Sequence, residues 1–332
     1  MLIFLLRRLG VKAALVFVAT SLAYLLASAT LNPAQVYLGQ SRQQSASSIR
    51  ASLDAYNVNP EVPLYERYWR WLTGLFRGDL GFVFQTHDSI AEELVRRMGV
   101  SFRLLIIGTI LAVLLGVLVG VVGAIRQYRP DDHATTILSF VLLSTPVFLL
   151  ANALKYAGDA VNTAAGQVIV YADGEYHTDA AAGLLERAQH LALPTLAIIL
   201  GPAGIAYFSR YQRNAMLDVL GSDFIQTARA KGLTRRKAFF RHGLRVALIP
   251  MATFFAFTFG LLLVGASFVE RIFNWNGMGQ WAVDSINNSD VNAIAAIAAV
   301  VAVLVMISSF LADVVYAILD PRVRSAGRAV AR

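Results

Sequence analysis

Apolar residues collect along this chain into long runs separated by polar connections. Runs near residues 11–31, 101–125, 134–154, 190–209, 248–270 and 291–317 each approach or exceed the roughly 20 residues needed to cross a bilayer. Helix is the conformation predicted for all six, because a backbone in lipid must satisfy its own hydrogen bonds. The expected fold is an all-α polytopic membrane protein with six transmembrane helices. It divides into an N-terminal segment and first helix (1–31), an extracytoplasmic insertion (32–100), a five-helix core (101–317) and a cytoplasmic tail (318–332).

Charge placement orients this pattern. Arg7, Arg8 and Lys12 flank the first run, and Arg322, Arg324, Arg328 and Arg332 follow the last. Two arginines lie in 126–133 and nine basic residues in 208–247. An excess of Lys and Arg marks the cytoplasmic side, so both termini are expected inside. The opposite connection, 155–189, holds Lys155 and Arg187 against five acids. Ala27-Ser28-Ala29 after an apolar run with two arginines also resembles a signal-peptide end. The run exceeds the usual 7–15 residues, and cleavage would leave an odd number of spans, so it reads as a retained helix.

The insertion opens with a linker-like polar run from Gly39 to Ser48 and then turns aromatic. Tyr65, Tyr68, Trp69, Leu72, Leu75 and Phe76 recur at helical spacing. Two readings fit: an interfacial helix at headgroup level, or a cap over a translocation path.

Composition supports membrane residence. The 332 residues are 57% hydrophobic and 15% charged, with a mean hydropathy of +0.57. The net charge of +8 lies beside spans, which argues against a nucleic-acid partner and for membrane lipid. The absence of cysteine removes disulfides and thiolate chemistry.

Little in the chain suggests an enzyme. Its lysines are Lys12, Lys155, Lys231 and Lys237, and none follows a glycine, so no phosphate loop is present. The five histidines show no i, i+4 pair, so no metal site is expected. Pro146, Pro194, Pro202 and Pro250 interrupt spans and free backbone carbonyls, a pattern tolerated around a cavity. Glu270, Asp313 and Asp320 are acids at span ends, either structural charges or gating groups. With no chain of midplane ionisable groups, a proton-coupled carrier is disfavoured.

The polar stretch 208–247 is the most informative segment. Asp223-Phe-Ile-Gln-Thr-Ala-Arg-Ala-Lys-Gly232-Leu233 reads as a short helix stopped by glycine and held out to the cytosol. Thr227-Ala-Arg-Ala-Lys-Gly-Leu233, continuing to Leu248-Ile249-Pro250, resembles the cytoplasmic coupling loop of binding-protein-dependent ABC importer permeases of the dipeptide and oligopeptide branch. Further matches are Arg77-Gly-Asp-Leu-Gly81, His190-Leu-Ala-Leu-Pro194, Val269-Glu270 with Gly277-Met-Gly-Gln280, and Asp313-x-x-Tyr316 through Asp320-Pro-Arg-Val-Arg324. Departures include Gln226-Thr227-Ala228 where the general loop has Glu-Ala-Ala, and Phe82 in place of a small residue.

The resemblance implies a type I importer permease architecture and import of oligopeptides or dipeptides. It implies as partners a homologous second permease, two ABC ATPase subunits carrying ATP and magnesium, and an extracytoplasmic substrate-binding protein. Asp223, Gln226, Thr227, Ala228, Arg229, Ala230, Lys231, Gly232 and Leu233 would form the ATPase-coupling segment, Ala228 and Ala230 allowing close approach to the ATPase. No cofactor is expected on this chain. Alternatives are a nickel or opine permease, an ion-coupled secondary transporter, or a structural membrane partner.

Overall fold

The computed structural model describes residues 2–34, 45–175, 183–244, 246–248, 251 and 266–319. Pro250, Asp320, most of the expected span 248–270 and the tail from 320 lie outside these residues. The described residues are largely helical, with one isolated bridge between Phe82 and Ser89. Among the described residues, three helices are long and apolar enough to cross a membrane, at Arg7–Thr30, Ile90–Ile125 and Val291–Leu311. Two bent pairs raise the number to five if each pair counts as one span. The chain divides into two compact units, Leu2–Ser101 with Asn276–Ile307, and Phe102–Trp275 with the residues from Ser308.

The first unit contains α1 (Leu2–Thr30), α2 (Ala46–Ala55), α3 (Leu64–Phe76), the start of α4 (Ile90–Ile125), α11 (Met278–Asn287) and the start of α12 (Val291–Leu319). Tyr24 of α1 centres one core cluster with Leu53, Val58, Phe84 and Val291. It stacks on Trp71 of α3, ring centroids 4.4 Å apart. The Arg77–Gly81 motif proves to be a helix stop. Gly78, at φ +78°, lets the Asp79 N–H reach back to the Gly74 carbonyl at 2.9 Å, the reverse turn that closes an α-helix. Asp79 Oδ1 then accepts from the Gly81 N–H at 2.9 Å.

Asp290 anchors the other side of this unit. Its carboxylate accepts from the N–H groups of Phe84 at 2.8 Å and Ala293 at 3.0 Å, capping α12. Burial pushes its carboxyl above the usual carboxylate range, against the pull of those hydrogen bonds. α4 begins at Ile90, eleven residues before the expected span at 101. The polar extension is a stable helix because Glu93 pairs with both Arg96 and Arg97 at i+3 and i+4.

The second unit contains the remainder of α4, α5 (Pro130–Ser144), α6 (Val147–Ala165), α7 (Leu184–Leu200), α8 (Ile205–Leu220), α9 (Asp223–Ala230) and α10 (Arg235–Ala238). Glycines allow α4 and α8 to approach closely. A Cβ at Gly116 would meet Phe208 Cβ at 2.5 Å, and one at Gly120 would meet the Ser209 carbonyl at 2.5 Å. This four-residue glycine spacing brings helix backbones together in apolar surroundings. α5 and α6 meet at a 107° bend, and α7 and α8 at a 43° bend. The expected spans 134–154 and 190–209 therefore each straddle a break.

Candidate functional site

α9 stands between α8 and α10, and each of its ends has a local cause. Ser222 is extended at φ −73°, ψ 150°, and its carbonyl accepts the first helical N–H groups, from Ile225 and Gln226. Asp223 sits in the first turn, where its negative charge complements the helix dipole. At the other end Gly232 adopts φ +92°. The Leu233 N–H then reaches the Ala228 carbonyl at 3.3 Å and the Gly232 N–H reaches the Arg229 carbonyl at 2.9 Å. These two bonds are the glycine-terminated helix stop that the sequence predicts.

Two side chains fasten α9 to the body of the unit. Ile225 and Ala228, one turn apart, enter a cluster with Val121, Ala124, Met216, Val219 and Phe239, and Leu233 packs against it. Gly243 completes the seat. A Cβ there would meet Phe239 and Val219 at 3.1 Å and Ile225 at 3.3 Å. Asp223, Phe224, Gln226, Thr227, Arg229, Ala230, Lys231 and Gly232 face outward.

This corrects one expectation. Ala228 is only 9% exposed and turns into the core, which leaves Ala230 and Thr227 as the small residues on the outer face. The sequence reading also missed Phe224, which is 42% exposed and the largest apolar group on the outer face.

Beyond α9, Thr234 starts α10, its carbonyl accepting from the Ala238 N–H at 2.9 Å. A π-helical turn over Phe239–Gly243 follows. Thr234, Lys237, Phe240 and Arg241 line an open cleft of about 450 Å³. The outer surface thus combines one short helix, an adjoining cleft and the basic groups Arg229, Lys231, Lys237 and Arg241. Such a rigid basic projection suits a protein partner with an acidic rim.

Comparison with known proteins decides the family. Residues 112–325 match the family model described as "Binding-protein-dependent transport system inner membrane component". The chain belongs to this family. It is 45% identical over 325 residues to an oligopeptide transport system permease protein of Mycobacterium bovis, covering 97% of this chain and 98% of that protein. A Bacillus subtilis oligopeptide transport system permease protein is 34% identical, covering 82% and 83%. An Escherichia coli K12 dipeptide transport system permease protein is 30% identical, covering 98% and 99%. The chain is therefore a multi-pass membrane subunit of transport type.

Within this family member the other candidate residues are scattered. Pro146 marks the 107° bend: α5 ends at the extended Thr145 that precedes it, and the Pro146 carbonyl accepts the first N–H groups of α6. Pro202 lies in the turn between α7 and α8, where Gly204 is required because a Cβ would run into the Ile199 carbonyl. Pro194 remains inside α7 without breaking it. Glu270 is buried in the helical stretch 266–272, and Asp313 is half-buried on α12. None of these shares a cluster with α9.

Two arrangements bring together residues that the sequence did not pair, although His190 itself opens one of its motifs. Arg213 of α8 grips Asp132 of α5 through two hydrogen bonds of 2.7 and 2.8 Å, and the Tyr128 N–H adds a third at 3.0 Å. The partners are 81 residues apart, so local pattern could not pair them. His190 is buried, stacks on Tyr171 at 4.2 Å, and its Nδ1 contacts the Gly174 and Asp173 carbonyls at 2.9 and 3.1 Å. Lys155 holds the same loop, through Asp173 at 2.7 Å, to the Ile272 carbonyl at 3.0 Å.

Proposed function

We propose that this chain is the permease subunit of an ATP-driven importer of oligopeptides or dipeptides, with α9 as the surface through which a partner ATPase drives it. The observation that carries the substrate class is the 45% identity over 97% of the chain to an oligopeptide permease. The dipeptide permease is also matched from end to end. The partners are a second permease, two ATPase subunits that hold ATP and magnesium, and a binding protein that delivers peptide from outside.

The coupling role rests on α9 being rigid. Ile225 and Ala228 lock it to α4 and α8, so a push on its outer face moves those helices instead of deforming a loop. Arg229 and Lys231 would form charge-assisted contacts at the rim, and Phe224 would fill the centre of the contact. ATP binding and peptide delivery must then influence one another reciprocally.

The test is uptake of a labelled peptide into proteoliposomes containing the assembled importer, with wild type compared against Arg229→Glu plus Lys231→Glu. Wild type should accumulate peptide only with ATP, and the variant should lose most uptake together with its bound ATPase. ATP-dependent accumulation of another solute but no peptide would overturn the substrate. Undiminished uptake by the variant would overturn the role of the basic rim of α9.

A further inference from the structure

Helix α3 has three distinct faces. Tyr68, Trp71 and Leu72 turn inward. The Tyr68 hydroxyl is 2.8 Å from Ser21 Oγ, and Trp71 stacks on Tyr24. Tyr65, Trp69 and Phe76 turn outward, with 76%, 65% and 76% of their surface exposed. At 3.6 residues per turn these three fall within an arc of about 40°. The next arc is polar, with Glu66 paired to Arg70 and with Arg77 just beyond the helix end.

The inward contacts fix the depth of α3. Ser21 and Tyr24 lie on α1, within its apolar stretch Arg7–Thr30. They precede its last residue by nine and six positions, which at 1.5 Å per residue is about 14 and 9 Å along the axis. A helix held against those residues cannot stand clear of a bilayer that α1 crosses. Leu22 and Leu26 of α1, interleaved with the contact residues, are themselves 53% and 63% exposed and lie at the same depth. The apolar surface of α1 therefore continues at the level of the aromatic arc.

We propose that α3 is an interfacial anchor whose Tyr65, Trp69 and Phe76 lie in the bilayer leaflet at the carboxyl end of α1. Aromatic rings favour that layer because they offer an apolar body and, in Tyr and Trp, a polar edge for headgroups and water. Arg70 and Arg77 on the neighbouring arc reach toward phosphate, and Glu66 partly neutralises them. The three exposed rings themselves carry no charge to pair with an acidic or basic protein surface. At the depth of the exposed Leu22 and Leu26, on a helix that crosses the bilayer, the occupant is lipid. The proposal rests on the family reading only in requiring that α1 span the membrane.

The chain has no cysteine, so single cysteines can be introduced without other changes. Spin labels attached after Tyr65→Cys, Trp69→Cys, Phe76→Cys, Arg70→Cys and Leu22→Cys would be examined in vesicles of phosphatidylcholine and phosphatidylglycerol. Collisions with oxygen report lipid, and collisions with a water-soluble nickel chelate report water. Positions 65, 69 and 76 should show an oxygen-to-nickel ratio severalfold above that at position 70. A ratio at all three equal to that at 70 overturns the anchor, while lipid contact at 22 leaves the span intact. Water contact at 22 overturns both. Labels at 65, 69 and 76 shielded from both reagents overturn it in favour of a protein occupant.

Discussion

Gly232 holds φ +92° with open space around its Cα, so backbone strain alone decides what can replace it. Gly232→Ala should cost about 1 kcal/mol through the left-handed conformation, and Gly232→Asn less, because Asn visits that region more readily. Thermal midpoints of the detergent-purified protein would measure both. Gly120 poses the opposite problem, since its limit is the Ser209 carbonyl 2.5 Å from an added Cβ. The sequence showed that a helix stops at Gly232, because a helical pattern followed by glycine has few other readings. It did not show which way Ala228 points. α9 has barely two turns, and Phe224, Ile225, Ala228 and Ala230 distribute apolar character around it. Packing against Val121, Met216 and Phe239 selects the inward face.

At the scale of elements, α8 is the part that links the outer surface of α9 to the membrane helices. It meets α4 through Gly116 and Gly120 and meets α5 through the Asp132–Arg213 pair. The side chain of Asp132 is 2% exposed and that of Arg213 is 23% exposed. Removing Arg213 leaves a nearly buried carboxylate with only the Tyr128 N–H. Arg213→Ala should therefore destabilise by up to about 3 kcal/mol, the low end for a buried pair because Arg213 keeps some contact with water. Arg213→Lys should recover only part, since an ammonium cannot reproduce the two-pronged contact. A double-mutant cycle with Asp132→Ala, followed by thermal unfolding, separates the pair energy from packing; coupling near zero would show that the contact adds nothing. Spans were legible in the sequence as apolar runs, and the proline break near 146 was legible too. The 107° angle and the Asp132–Arg213 pair were not, because both depend on residues brought together by the fold.

For the whole molecule the open quantity is orientation, and charge distribution argues it. The amino-terminal segment, the 126–133 connection, the 208–247 stretch and the tail together carry eighteen Lys and Arg, while residues 155–189 carry two against five acids. Anionic lipid and the membrane potential both favour keeping the basic segments inside. Residues 32–100 are long enough to be exempt from the rule, so exposed positions on both sides report the orientation. Arg229→Cys and Glu61→Cys each introduce one thiol at an exposed site in a chain that has none. In intact cells a membrane-impermeant maleimide should label position 61 and spare position 229, which should react only after permeabilisation. Labelling of 229 in intact cells would place α9 outside, beyond reach of any cytoplasmic ATPase. The coupling role would then fail even though membership of the family stands.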